Sequence, residues 1–450
     1  MSTQQLLDPL FTTPAMREVF SDRQRIQRML DFEAALARAI ARTGIAPADA
    51  AEGIRDCCRT ELYSVENLSR EAPAAGNVAI PLVKALTAEV AKKDAKAAGF
   101  VHWGATSQDA IDTGLALQIR EALEIFDADL KRLADLMATL AEKYAGAAMA
   151  GRTWLQQAPP VTLGLKIAGW LDAIERHRER LREARGRALV VQFGGAVGTL
   201  AALGERGPKV ARALAEELRL ELPAIPWHTH RDRLAEVAAT LGLLTGTLGK
   251  IARDVSLLMQ TEVGEVSEPG GAGRGGSSTM PHKRNPVASA AILAAAIRVP
   301  GLVSTMLSAM VQEHERGLGG WQAEWETLPE ICLLTHGALA RTTEIAAGLE
   351  TDEARMAENL SATRGLIFAE AVAFALAERI GRQEAVALVE EACRKAVTER
   401  SDLLTILLAD KRIAKVMTRE EIAEQLEPGR YLGAGAQWIE AVLEARKAGL

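Results

Sequence analysis

Residues 119–140 read IREALEIFDADLKRLADLMATL, with apolar side chains at Ile119, Leu123, Phe126, Leu130, Leu133, Met137 and Leu140. The steps between them alternate four and three, so all seven fall on one stripe of an α-helix. Leu163, Ile167, Trp170, Ile174, His177 and Leu181 repeat the spacing, and so do Leu234, Val237, Leu241, Leu244, Leu248, Ile251, Val255 and Leu258. An average step of about 3.5 favours near-parallel packing at shallow angles, and the stripes predict helices of roughly 25 to 30 residues in an elongated bundle.

Strand signals are few. Aromatic residues make up 4% of the chain, and the short strand candidate is Leu189-Val190-Val191-Gln192-Phe193. The expected fold class is therefore all-α, an elongated central helix bundle with smaller helical N- and C-terminal domains. Ser21 reads as an N-cap opening a helix that stops near Gly44, and Gly348-Leu349-Glu350-Thr351 reads as a break. Boundaries near 110 and 352 give an N-terminal domain at 1–110, a central bundle at 111–352 and a C-terminal domain at 353–450. Apolar seams this long on one chain often continue across subunits, so association through helices is expected.

The bulk properties narrow the partners. A chain of 450 residues with 48% hydrophobic and 25% charged content can bury a large core. A formal net charge of -6 gives no electrostatic reason for nucleic acid or an anionic membrane as partner, so neither is expected. Cys57, Cys58, Cys332 and Cys393 form no CxxC pair and no ligand-like spacing to histidine, which fits a cytoplasmic protein without disulfides or a metal site. The first residues lack a basic segment followed by an apolar one, so no signal peptide is expected. The longest uncharged run, 188–204, holds 17 residues and four glycines, short for a bilayer span.

Residues 271–286, GAGRGGSSTMPHKRNP, combine glycines with dense polar function. The first six match GxGxxG by letter, but that fingerprint needs a strand before it and a helix opening on it. Here a helix is expected before it, ending near Glu265. A linker is the plain alternative. Against it stand Ser277, Ser278, Thr279, His282, Lys283, Arg284 and Asn285, bounded by Pro281 and Pro286. Glycines in such a loop let backbone amides converge on an anion.

GSSTMPHKRNP (276–286) resembles the signature loop of the fumarase/aspartase superfamily, whose members make or break a bond at the carbon β to a carboxylate. HWGATSQD (102–109), GRTWLQ (151–156) and GGAVGT (194–199) support the resemblance in the expected order. It implies a homotetramer with a helical core, active sites built from three subunits, and neither metal nor organic cofactor. Ser277 resembles the group that exchanges the proton on carbon, and Lys283 and Asn285 those that hold the carboxylate as it becomes a doubly charged, enolate-like species. An ammonium and loop amides preorganised around that charge can stabilise it by several kcal/mol. Thr106 and Ser107 resemble the hydroxyl pair that binds another substrate carboxylate. His102 reads as orienting that loop, His177 as a core residue, and His228 and His230 as an HxH without a third ligand.

Two departures sharpen the expected chemistry. Where fumarase, argininosuccinate lyase and adenylosuccinate lyase carry a histidine that protonates the leaving group, this chain has Trp154. The place of the second acid of adenylosuccinate lyase corresponds to Ala75-Gly76-Asn77, and after Arg316 a tryptophan stands where its phosphate ligand would be. A reaction that keeps Ser277 and needs no acid for the leaving group is one whose leaving group is a carboxylate. In reverse this is a lactonisation of a small tricarboxylate. Within the superfamily the resemblance is to the lactone-forming branch, carried by GRTWLQ, AGNVAIPLVKAL (75–86) and QEHERGLGGWQAEWETLP (312–329). It implies substrate contacts from Trp154, Gln156 and Arg316. A lyase acting on a succinyl adduct, or a structural protein that kept the scaffold, are the two other readings.

Overall fold

The three stripes fold as long helices. The computed structural model describes residues 6–271, 275–276, 279–280 and 282–448. Helix α1 (Asp22–Arg42) starts at Ser21, whose hydroxyl accepts from Gln24 N at 3.2 Å. Helix α2 spans Ala79–Ala91, and Asn77 Oδ1 accepts the Ala79 and Ile80 amides at its first turn. Helix α3 (Ser107–Lys143) has 37 residues, about 55 Å of helix. Ile119, Leu123, Phe126, Leu130, Leu133 and Met137 on its stripe are all buried. Strands β1 (Ala148–Thr153) and β2 (Gln156–Thr162) form an antiparallel hairpin leading into α4 (Leu163–Ala188). Helix α5 (Asp232–Leu258) buries every one of its eight stripe residues. Strand β3 (Val266–Ser267), α6 (Val287–Ser308), α7 (Gly320–Ala347) and β4 (Glu350–Thr351) follow, with β3 and β4 paired antiparallel. The fold is all-α, and its two short pairings serve as fasteners.

The chain forms two compact units. The first comprises Met1–Leu130, His177–Gly249 and Ala291–Arg341; the second comprises Lys131–Arg176, Lys250–Ala290 and Thr342–Leu450. In the first, Ile26, Met29, Leu30, Ile54, Leu82, Leu86 and Val90 share a core. In the second, Val372, Leu376, Leu388, Leu403, Leu407 and Ile413 do so.

Two local expectations are corrected. Leu189–Phe193 is not a strand of a sheet: Val190 makes one isolated bridge to Glu221, and Gln192 is bonded through its backbone to the Thr113 hydroxyl. Glu221 makes the two backbone bonds of that bridge, to Leu189 O and from Val191 N, and the Thr113 and Trp227 side chains bond the backbone of 191–192 in place of a longer ladder. The strands lie instead at β1 and β2, where Gly151, Pro159 and Pro160 hide any apolar alternation. The helix expected to end near Glu265 stops at Leu258, because the chain turns through 259–264 and becomes extended.

Helices α5 and α6 are long and apolar enough to cross a membrane by length and composition. Most of the apolar stretch of α5 is covered within the chain, but only 28% of that of α6 is. Ile297 on α6 is 79% exposed and Leu307 half-exposed.

The N-terminal arm is seated on α7. Thr13 Oγ1 lies 2.7 Å from His336 Nδ1, while His336 Nε2 lies 2.9 Å from Asp129 Oδ2. Gly337 lets the arm in, since a Cβ there would stand 1.9 Å from Phe11 O. Gly337→Ala should therefore lower the unfolding free energy by about 1–3 kcal/mol, seen as an earlier denaturant midpoint in circular dichroism. An unchanged midpoint would mean that this seating is absent.

Candidate active site

In the first unit, the site is built on a buried carboxylate. Asp109 stands in the first turn of α3 with its side chain fully buried, and it collects five hydrogen bonds. Oδ1 accepts from Gln192 Nε2 and Gly194 N, both at 3.0 Å, and lies 2.9 Å from His228 Nε2. Oδ2 accepts from Gly195 N at 2.9 Å and Thr106 N at 3.0 Å. A buried carboxylate without such partners would be strongly disfavoured, so these bonds fix HWGATSQD against GGAVGT. Gly194 and Gly195 are required at this junction. A Cβ on Gly194 would stand 2.8 Å from His228 Cε1, and Gly195 adopts φ +65.

Three of the groups named from sequence, Thr106, Ser107 and Arg316, lie at the N-terminus of α3. Arg316 Nη1 donates to Thr106 Oγ1 at 3.3 Å and Nη2 to Ala196 O at 2.9 Å. Asn77 Nδ2 donates to Ser107 Oγ at 3.4 Å. Two hydroxyls, an amide and a guanidinium at the amino end of a long helix are suited to an anion such as a carboxylate. Asn77 also lines a groove of about 400 Å³ with Arg25, Met29 and Trp325. Trp321 is packing: it is buried, and its Nε1 donates to Asp112 Oδ1 at 2.9 Å.

Asp112, one turn further along α3, extends the anchor. Its carboxylate accepts from Arg231 Nη1 at 2.6 Å and Nη2 at 3.1 Å, and Arg231 also bonds Glu324 on α7. All three are buried. On the other flank, His102 Nδ1 lies 2.5 Å from the buried Glu33 Oε1. Burial opposes charge on the imidazole, but the neighbouring Glu33 carboxylate outweighs it and holds the His102 pKa above its ordinary value.

The second unit carries the remaining groups. Trp154 and Leu155 form the tip of the β1–β2 hairpin, both with positive φ, 53° and 64°, the backbone of a type I′ turn. Neither is glycine or asparagine, the usual occupants, so the tip is strained. Trp154 is 96% exposed and Gln156 is also exposed. Arg152 ties this hairpin to the glycine-rich loop by a bidentate pair with the buried Glu265, at 2.9 and 2.8 Å. Asn359 Nδ2 donates to the same carboxylate at 2.8 Å. Glu265 directly precedes β3, the entry to the loop. Asn285 donates to Gly275 O through both its N and its Nδ2, and Lys283 is exposed. Ser277 lies outside the described residues.

The structure thus brings Thr106, Ser107 and Arg316 together, and places Trp154, Gln156, Lys283 and Asn285 on fastened segments. Sequence reasoning assigned no role to Asp109, Gln192, Arg152, Glu265 or Glu33. Apart from Thr106 N, which the Thr-x-x-Asp capping pattern of TSQD could have signalled, their partners lie many tens of residues away along the chain, and the letters alone carry no signal of those pairings.

The chain matches two family profiles, one described as Lyase over residues 11–301 and one as Adenylosuccinate lyase C-terminus over residues 365–442. It is 59% identical to a 3-carboxy-cis,cis-muconate cycloisomerase of Pseudomonas aeruginosa over 439 residues, covering 98% of this chain and 96% of that protein. Among solved structures, a 3-carboxy-cis,cis-muconate lactonizing enzyme from Pseudomonas putida is similar at a TM-score of 0.95 and 53% identity, covering 99% of this chain and all of that one. A β-carboxy-cis,cis-muconate cycloisomerase from Acinetobacter calcoaceticus sp. ADP1 is similar at 0.93 and 44% identity, over 98% of this chain and 100% of the other.

Two outcomes are expected. Asp109→Asn replaces an acceptor oxygen by a donor facing N–H groups. It should cost about 2 kcal/mol or more of stability and speed amide exchange at Thr106, Gly194 and Gly195. Because the folded-state pKa of His102 is raised, the stability from its pair with Glu33 is full below the unfolded histidine pKa and lost as pH rises through the folded one. Unfolding midpoints measured from mildly acidic to mildly alkaline pH should show that fall in the wild type and a flatter profile in His102→Gln.

Proposed function

The chain belongs to the fumarase/aspartase superfamily of lyases, and on that premise we propose that it is a cycloisomerase closing 3-carboxy-cis,cis-muconate to 4-carboxymuconolactone. One carboxylate of the substrate adds to the conjugated double bond. The displaced electron pair moves toward a second carboxylate, which becomes the enolate-like species, and the carbon beside it then takes a proton. Substrate and product are isomers, so no fragment leaves.

Trp154 carries this reading. At the fourth position of GRTW, where the lyases it resembles use a histidine, an indole has no proton to give. A carboxylate leaving group has a conjugate-acid pKa of about 4 against about 15.7 for water, a gap of about 12 units or about 16 kcal/mol as an upper bound. General acid catalysis contributes about 10²- to 10⁴-fold, so a carboxylate does without it. Ser277 delivers the proton to carbon. Lys283 and Asn285, with Thr106 and Ser107, hold the carboxylate that accepts charge. Arg316 balances part of the tricarboxylate, and Trp154 and Gln156 contact the substrate and exclude water.

The protein works in the cytoplasm as a homotetramer with active sites shared between subunits, bound to neither nucleic acid nor membrane. Two observations support the assembly. Helix α6 leaves an apolar face uncovered, and other copies of the chain supply its cover. The exposed Trp154 and Leu155 on a strained turn need a partner surface, which a neighbouring subunit provides.

Purified protein mixed with the triacid should remove the diene absorbance and yield the lactone. Ser277→Ala should lower turnover at least about 100-fold with an unchanged helical signal. No turnover by the wild type contradicts the proposal, and turnover of adenylosuccinate or argininosuccinate in its place would assign an elimination.

A further inference from the structure

The β3–β4 pairing holds a carboxylate against both stems of the glycine-rich loop. Val266 pairs with Thr351 and Ser267 with Glu350, and Asp352 N donates to Glu265 O at 3.0 Å. A Cβ on Gly348 would stand 2.6 Å from Pro269 Cβ, so the strand segments lie close. From there Glu350 Oε1 accepts from Gly270 N and from Arg284 Nη2, both at 2.9 Å, while Oε2 accepts from Arg284 Nη1 at 2.7 Å. Arg284 Nη2 also donates to Glu268 O at 2.7 Å. The buried Glu268 carboxylate in turn accepts the Ala288 and Ser289 amides at 3.0 and 2.7 Å, capping α6.

Entry and exit of the loop are thereby joined at one point. Gly270 lies on the way in and Arg284 on the way out, between Lys283 and Asn285 in sequence. Gly275 completes the exit: it adopts φ +63, its carbonyl takes both Asn285 donors, and a Cβ there would stand 2.6 Å from Asn285 O. The Arg284–Glu350 pair is about half exposed, and pairs of that kind add little to stability. What a bidentate guanidinium supplies is direction.

We propose that Glu350 is a positioning residue, which through Gly270 and Arg284 fixes the backbone from which Lys283 and Asn285 hold the reacting carboxylate. The inference rests on the reading of Lys283 and Asn285 given above. Small displacements of such groups can cost about 100-fold in rate.

The test uses the full-length protein and the triacid. Glu350→Ala is expected to lower kcat about 10- to 100-fold while KM changes by less than about threefold, the pattern of an interaction realised in the transition state. Arg284→Ala should match it, and the double variant should be no slower than the slower single one. Glu350→Gln, which keeps an acceptor for the Gly270 amide, should fall between Glu350→Ala and the wild type. Unchanged kcat in Glu350→Ala, or losses that multiply in the double variant, overturns the proposal. Amide exchange gives an answer independent of substrate. Exchange at Gly270 and Asn285 should be about tenfold faster in Glu350→Ala, with α3 and α5 unaffected, and unchanged exchange overturns the proposal. If the wild type leaves the triacid untouched, the assigned reaction fails, and exchange still decides the role of Glu350.

Discussion

A carboxylate removed from water has to find donors within the protein, and Asp109 finds five. That requirement organises the first unit around the start of α3. The Thr106 amide is drawn to the helix that Thr106 precedes, the Gly194–Gly195 turn is brought alongside, and His228 is held from a third segment. Asp112 and Arg231 continue the same anchorage one turn along. With the interior side of this turn bonded, the Thr106 and Ser107 hydroxyls, Asn77 and Arg316 are left around the helix end.

The second unit uses the same device with three further acids. Glu265 holds the hairpin through Arg152, Glu268 caps α6, and Glu350 joins the loop stems. Each is a carboxylate that gathers amides or a guanidinium and so fixes the segment beside it. The strained Trp154–Leu155 turn shows that the fold also accepts a local cost at the hairpin tip. A tryptophan there is chemically informative because it offers bulk and dryness but no proton, which suits a reaction whose departing group is already a stable anion.

What the sequence made legible follows from the range of the forces involved. The stripes of α3, α4 and α5 were readable because one buried face repeats locally along each helix. Ser21 was readable because a cap bonds an amide three residues on. The hairpin was not: Gly151 is there because a Cβ would stand 2.5 Å from Pro159 O, and the turn lacks the Asn-Gly pair that marks such bends. Nor were the Asp109 bonds, whose partners Gln192 and His228 lie 83 and 119 residues away. The signature motifs identified the family. The acids that hold those motifs in place appear only once the chain is folded.

The central claim is that a proton goes to carbon and that no leaving group needs one. Running the reaction with the triacid in deuterium oxide and reading the product by NMR tests it directly. The account predicts a lactone carrying one deuterium, on the carbon beside the carboxylate that passed through the enolate-like state. A product without carbon-bound deuterium, or a fragment released from the substrate, would contradict it.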